Sequence, residues 1–221
     1  MKADLEAREA QQEAGLLALV QWLSPAFPLG SFAYSHGLEA AVTERQVHDA
    51  TTLQGWLEAV LRFGSGRADA VLLHAALRGD DADRLAGLAR ALAACAERLE
   101  ETEAQGAALA RTVSALTGAE MPARPLPVAL GVAVRPLRLP PLRVVALYLH
   151  AFASNLTSCA TRFVPLGQTE AQAALARLAP AIATVARQTE GADPAHIASA
   201  AFGADLAAMR HEALSVRIFK T

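Results

Sequence analysis

The chain has 221 residues, of which 53% are hydrophobic and 19% charged, and its formal net charge is −2. This composition excludes a disordered chain, and the near-neutral charge excludes a global basic field for nucleic acid. Ala and Leu contribute 52 and 32 residues, whereas aromatic residues reach only 5%. Because Ala and Leu favour helices, we predict an all-α protein. No linker separates two domains, so we expect a single-domain bundle of about nine or ten helices.

Three segments are expected in chain order. Residues 1–14 are polar and lack an apolar face, which predicts a flexible N-terminal segment. Residues 15–209 form the all-helical domain, and residues 210–221 form a C-terminal tail that orders when a partner binds. Within the domain, the first helix ends before Pro25, since the residue before a proline is pushed out of the helical region.

The helices that follow are marked by apolar spacing and capping residues. A helix is expected from near Phe32 to about Arg45, and the next begins with Thr51 or Thr52 as its N-cap. One long helix is expected over 85–99, and Phe202 with Gly203 interrupts the last helical region. The most regular apolar stripe of the chain covers residues 145–163.

Two features of the central region leave alternatives open. Residues 121–169 contain five arginines and no acidic residue. This block is either a buried segment whose arginines reach solvent or a face for an acidic partner. Asn155 lies on the flank of the 145–163 stripe. It either satisfies a helix–helix contact or sets the register of a dimer.

Catalytic and metal-binding motifs are sparse. The sequence has no phosphate loop, no GxSxG and no HExxH motif. His36 and Glu39 are three residues apart, a spacing that favours a capping or surface pair over a metal site. Cys95 and Cys159 fit buried residues of a reducing compartment. Lacking a leader pattern and a fully apolar span, the chain is expected to be cytoplasmic, without membrane or nucleic-acid partners.

Three blocks of the sequence resemble one family. SPAFPLGSFAYSHGLE, then PVALGVAV with SNLTSCATRFVPLGQT, and finally MRHEALSVRIFKT occur in the order found in the urease accessory protein F family. The resemblance covers nearly the whole chain. It departs at His36, where Gln is more usual in the family, so a metal role for His36 is not carried over.

The resemblance implies a non-enzymatic maturation factor without a cofactor. Such a protein is all-α, cytoplasmic and homodimeric, and it bridges the scaffold accessory protein D (H in some bacteria) and the GTPase accessory protein G. The assembly delivers nickel to apo-urease, and the family member regulates GTP hydrolysis by its partner. No arginine can be singled out here as an assistant to that hydrolysis, and whether nickel binds this chain is left open.

Site residues follow from the family pattern and the apolar stripe. The Pro- and Gly-rich turn that carries Phe32 and Tyr34 is either a rigid surface or an ordinary buried helix junction. The partner-binding set combines these two aromatic residues with the final block: Phe32, Tyr34, His211, Glu212, Arg217, Ile218, Phe219 and Lys220. The dimer interface is expected at Tyr148, Phe152, Asn155 and Cys159. No catalytic and no metal-binding residue is predicted. Two other functions stay open from the residues alone: a helical-bundle metal-dependent enzyme, and a helical interaction protein unrelated to urease.

Overall fold

The computed structural model describes residues 2–220, with side chains from residue 9 onward. Within these residues the chain forms eleven α-helices, three short 3-10 helices and no strand, which confirms the predicted all-α class. The α-helices are α1 Lys2–Leu23, α2 Leu38–Thr43, α3 Ala50–Phe63, α4 Ser65–Arg78, α5 Ala82–Ala91, α6 Ala96–Thr117, α7 Leu126–Val134, α8 Pro141–Ala160, α9 Gln168–Arg177, α10 Ala179–Gln188 and α11 Phe202–His211. The 3-10 helices are Ser31–Ala33, Arg135–Leu137 and Pro194–His196.

Helix α8 runs through the centre of the bundle. It packs against α1, α2, α3, α4, α9 and α10, and both of its prolines lie at the helix start, where they break no hydrogen bond. The stripe predicted from the sequence is its buried face: Val145, Tyr148, Leu149, Leu156 and Cys159 are each at most 4% exposed. The stripe is therefore core within a single chain.

Several helix boundaries differ from the sequence expectations. Asp49, not Thr51 or Thr52, caps α3, and the Thr52 side chain closes a capping box with it. The expected long helix over 85–99 is broken between α5 and α6, and Cys95 is extended at the break. Between Phe32 and Arg45 only a 3-10 turn and the six-residue α2 form, because Gly37 has a φ of 77°. Phe202 begins α11 instead of interrupting a helix.

The N-terminal segment is helical in the part that the structure describes. Residues 2–14, expected to be flexible, are the first half of α1; Met1 and the side chains of residues 1–8 lie outside the described part. Along residues 2–220 no helix combines the length and apolarity needed to cross a lipid bilayer.

Close backbone contacts fix the position of α11. A Cβ on Gly37 would lie 2.6 Å from the Ala208 nitrogen, closer than real Cβ atoms approach other atoms. Gly37 therefore lets the backbone of α11 pack directly on the start of α2. A second such contact joins α6 to the segment before α7, where a Cβ on Gly106 would lie 1.8 Å from the Arg124 carbonyl oxygen.

Candidate partner-docking site at the C-terminal tail

The C-terminal tail, residues 212–220, is held by one buried carboxylate. Glu39 lies on α2 and is only 4% exposed. Its Oε1 accepts the backbone N–H of Ile218 at 2.9 Å, and its Oε2 accepts that of Phe219 at 3.0 Å. Hydrogen bonds to a charged acceptor are stronger than neutral ones, so this carboxylate is the main polar anchor of the tail.

A histidine and a second carboxylate complete the cluster. His211 is fully buried at the end of α11, with Nε2 3.1 Å from Glu39 Oε2 and Nδ1 2.7 Å from Glu97 Oε2. Glu97 also accepts from the Arg217 guanidinium, and its backbone N–H donates to the Glu212 carboxylate at 3.1 Å. The cluster thus connects the ends of α11 and the tail to α2 and α6.

Aromatic and cationic contacts fix the far end of the tail. Phe219 is 4% exposed, and its ring lies 5.2 Å from that of Phe163. The Arg162 guanidinium lies over the Phe219 ring, 5.3 Å from the ring centre. Lys220 donates its backbone N–H to the Ala33 carbonyl at 2.7 Å, which places the tail beside the Ser31–Ala33 turn.

The structure brings the two predicted signature segments together. Tyr34 is buried, and the Lys220 ammonium lies 5.8 Å from the centre of its ring. Phe32 and Ile218 remain 64% and 67% exposed. Of the predicted partner-binding set, the exposed members are Phe32, Glu212, Arg217, Ile218 and Lys220, whereas Tyr34, His211 and Phe219 are buried. The three buried residues pack inside the bundle, and the five exposed ones remain accessible.

Two of the four residues predicted for the dimer interface contact the backbone at the Ser31–Ala33 turn. Asn155 Nδ2 donates to the Ser31 carbonyl at 2.9 Å, and Cys159 Sγ contacts the Tyr34 carbonyl at 3.4 Å. Tyr148 is 4% exposed, and only Phe152 and Asn155 are partly exposed. Burial raises the pKa of the Cys159 thiol to about 12, so this cysteine is an inert thiol. The dimer itself stays a prediction.

A second polar cluster contains Tyr148, Asp69, His36 and Ser65. The Tyr148 hydroxyl donates to Asp69 Oδ2 at 2.6 Å, and burial raises the pKa of both groups. The His36 Nε2 lies 2.5 Å from Ser65 Oγ, and burial together with the charge of Arg98 holds the pKa of His36 well below 6.5. His36, Ser65, Asp69 and Arg98 line one side of a cavity of about 220 Å³.

Of the predicted alternatives for His36 and Glu39, a capping or a surface pair, the surface pair is wrong. Both side chains are 4% exposed, because the left-handed turn at His36 and Gly37 directs the start of α2 into the bundle. The two residues belong to different clusters, and the described residues contain no group of three or more side chains suited to a metal ion. Glu39 and Glu97 were missed as site residues. The sequence signal for Glu39 is its place directly after the apolar Leu38, at the end of the block SPAFPLGSFAYSHGLE.

The arginines of the acid-free block are divided between packing and the surface. Arg124 pairs with Asp83, Arg135 donates to the Ala76 carbonyl, and Arg162 covers Phe219. Arg138 and Arg143 are exposed and have no carboxylate partner among residues 9–220. The block therefore contributes to the fold through three arginines, whereas Arg138 and Arg143 make no such contact among residues 9–220.

Comparisons with known proteins agree on one family. A family model described as UreF matches residues 47–179. A protein named urease accessory protein UreF from Cereibacter sphaeroides (strain KD131 / KCTC 12085) is 64% identical over 94% of this chain and 99% of its own length. Proteins of the same name from Paracoccus denitrificans and Jannaschia sp. are 52% and 51% identical over 95% and 97% of this chain, and 97% and 98% of their own lengths.

Proposed function

This chain belongs to the UreF family of urease accessory proteins, and from that premise we propose how it acts in urease maturation. It bridges the scaffold accessory protein D/H and the GTPase accessory protein G, and it regulates GTP hydrolysis by the GTPase. It is needed for nickel insertion into apo-urease and has no catalytic activity of its own. It acts in the cytoplasm as a homodimer.

The observation that carries this proposal is the similarity to proteins named UreF over 94–97% of the chain. The geometry of the tail is consistent with it. The tail presents Ile218 and Val216, 67% and 81% exposed, on a rigid base next to the exposed Phe32. Apolar and aromatic side chains held on an ordered base are typical anchors of a protein interface. We assign the scaffold protein to this surface.

Co-expression with the urease subunits and the other accessory proteins tests the function. Omitting this chain should abolish nickel loading and urease activity, measured by metal analysis and ammonia release on the purified urease. Full activity without the chain would refute the proposal.

Removal of residues 214–221 tests the assignment of the tail. We expect the truncated chain to lose co-purification with the scaffold protein and the GTPase, while its far-UV circular dichroism changes little, because all eleven α-helices end before residue 214. The exchange Arg111→Ala on the exposed side of α6 is a matched control that should leave the complex intact. Co-purification of the truncated chain would contradict the assignment.

A further inference from the structure

A serine and a histidine outside the tail site lie side by side at the wall of a cavity. Ser65 is the first residue of α4, and its Oγ lies 2.5 Å from His36 Nε2. His36 is 4% exposed, whereas Ser65 is partly exposed, and both residues line the cavity of about 220 Å³. A hydroxyl within hydrogen-bond reach of an imidazole nitrogen has the geometry of an activated nucleophile.

The surroundings of the His36 ring determine which nitrogen carries the proton. The Nδ1 atom faces the Glu101 carboxylate, with 3.6 Å between the nitrogen and Oε2. A carboxylate on that side favours the tautomer protonated at Nδ1, which leaves the Nε2 lone pair for the Ser65 hydroxyl. The ring is also packed edge-on against Phe152, with 5.0 Å between the ring centres. The hydroxyl of Ser65 therefore donates to Nε2, and the histidine is placed to take up its proton.

The charged groups around His36 keep its ring neutral. Burial and the charge of Arg98 hold the pKa of His36 well below 6.5, so its Nε2 is a free acceptor at neutral pH. Arg98 itself is paired with Glu101 on α6. Two carboxylates on the cavity wall, Asp69 on α4 and Asp205 on α11, each accept from a neighbouring hydroxyl. The base in contact with Ser65 is thus the imidazole and not a carboxylate.

The start of α4 is suited to the negative charge that develops when a carbonyl is attacked. The backbone N–H groups of Ser65 and Gly66 have no carbonyl acceptor within the described chain, as expected for the first turn of a helix. These donors and the positive end of the helix dipole stabilise an oxyanion formed next to Ser65. The cavity also has apolar walls, which suit a small uncharged acyl group: Leu72, Leu92 and Ile197.

We propose that Ser65 is an activated nucleophile that accepts a small acyl group from an activated ester entering this cavity. The Ser65 Oγ attacks the acyl carbonyl carbon while its proton passes to His36 Nε2. The bond from the acyl carbon to the leaving oxygen then breaks, and the leaving group takes the proton from Nε2. The products are an ester of Ser65 and a free alcohol or phenol. This single acylation of the chain goes beyond the proposed function and does not depend on it.

Acylation of the full-length chain by p-nitrophenyl acetate, followed by mass spectrometry of its peptides, tests the proposal. Ser65 should gain an acetyl group at least about tenfold faster than Ser158, an exposed serine whose hydroxyl donates to the Ser154 carbonyl. His36→Gln should slow the acetylation of Ser65 at least about tenfold, because an amide holds the hydroxyl but does not take its proton. Ser65→Ala should remove this label, with the same circular dichroism in all three proteins.

A pH profile distinguishes a base from a residue that only holds the serine in place. With His36 as the base, the rate at Ser65 should stay within about twofold between pH 6.5 and 7.5, because the pKa of His36 lies well below this interval. A serine that reacts without a base, as its alkoxide, should accelerate about tenfold over the same interval. That tenfold rise at Ser65 would overturn the proposal. Equal rates in the wild type and His36→Gln, or at Ser65 and Ser158, would overturn it as well.

Discussion

The exchange Glu39→Gln removes one oxygen from the anchor of the tail without changing its shape. In the wild type the two carboxylate oxygens accept one backbone N–H each, at Ile218 and Phe219. A glutamine has a single side-chain oxygen, so one of these backbone donors must face an amide NH2 group, which is also a donor. The variant therefore loses one hydrogen bond, and the other loses its ionic character.

The size of the effect follows from these two contacts. A hydrogen bond to a charged group contributes about 1.5–3 kcal/mol, and a neutral one about 1 kcal/mol. Glu39→Gln should therefore weaken tail docking by about 2–5 kcal/mol. Since each 1.4 kcal/mol is about tenfold, the docking equilibrium of the tail should fall by at least about 30-fold.

Amide hydrogen exchange measures this local equilibrium directly. Exchange at Ile218 and Phe219 should accelerate by the same factor, up to the rate of an unfolded peptide, while amides in α8 keep their protection. The matched control is Glu44→Gln at the end of the same helix, whose carboxylate contacts Arg210 and no tail amide. Equal exchange at the tail in both variants would refute the anchoring role of Glu39.

Three further outcomes are expected from the fold. Because the pKa of His36 lies well below 6.5 in the folded chain, the unfolded chain binds a proton first as the pH falls below 6.5. Wild-type stability should therefore fall there by up to about 1.4 kcal/mol per pH unit, and urea unfolding at pH 7 and 5.5 should show a smaller loss for His36→Gln. Gly106→Ala should prevent stable folding, because the added Cβ meets a backbone carbonyl. In the control Gly87→Ala the Cβ meets nothing, so the Tm should rise slightly. Equal Tm values for the two variants would contradict this. Tyr148→Phe should lower the free energy of unfolding by about 1–3 kcal/mol in urea titrations, because it leaves the Asp69 carboxylate without its donor, and an unchanged value would show that water replaces the hydroxyl.

The sequence predicted the helical class and the central helix because these depend on local composition and period. The 3- and 4-residue spacing between 145 and 163 is a property of neighbouring residues, and α8 follows it. The break at Cys95 was missed because the apolar period continues across it. The cap at Asp49 was missed since both Asp and Thr are good caps, and only the geometry distinguishes them.

The tail site was predictable in part. The family pattern predicts that the final block is a binding segment, but the attachment of this block to Glu39 joins residues 179 positions apart. A sequence pattern carries no information about such a pair without knowledge of the fold. Helix α11 buries Ala204, Ala207 and Ala208 but leaves Leu206 48% exposed, and the sequence hides this arrangement for a related reason. Ala and Leu are both apolar, so the pattern alone does not say which of them faces inward.

The Glu39 anchor also determines when the tail can attach to the bundle during synthesis. Its acceptor is made among the first forty residues, whereas its donors emerge 179 and 180 residues later. Until the ribosome has passed Phe219, the bundle can fold around α8, but the carboxylate has no tail to hold. A nascent or prematurely ended chain therefore lacks the tail and leaves the Glu39 carboxylate without its two backbone donors. Ordering of the tail on the bundle is in this way coupled to translation of the C-terminal segment.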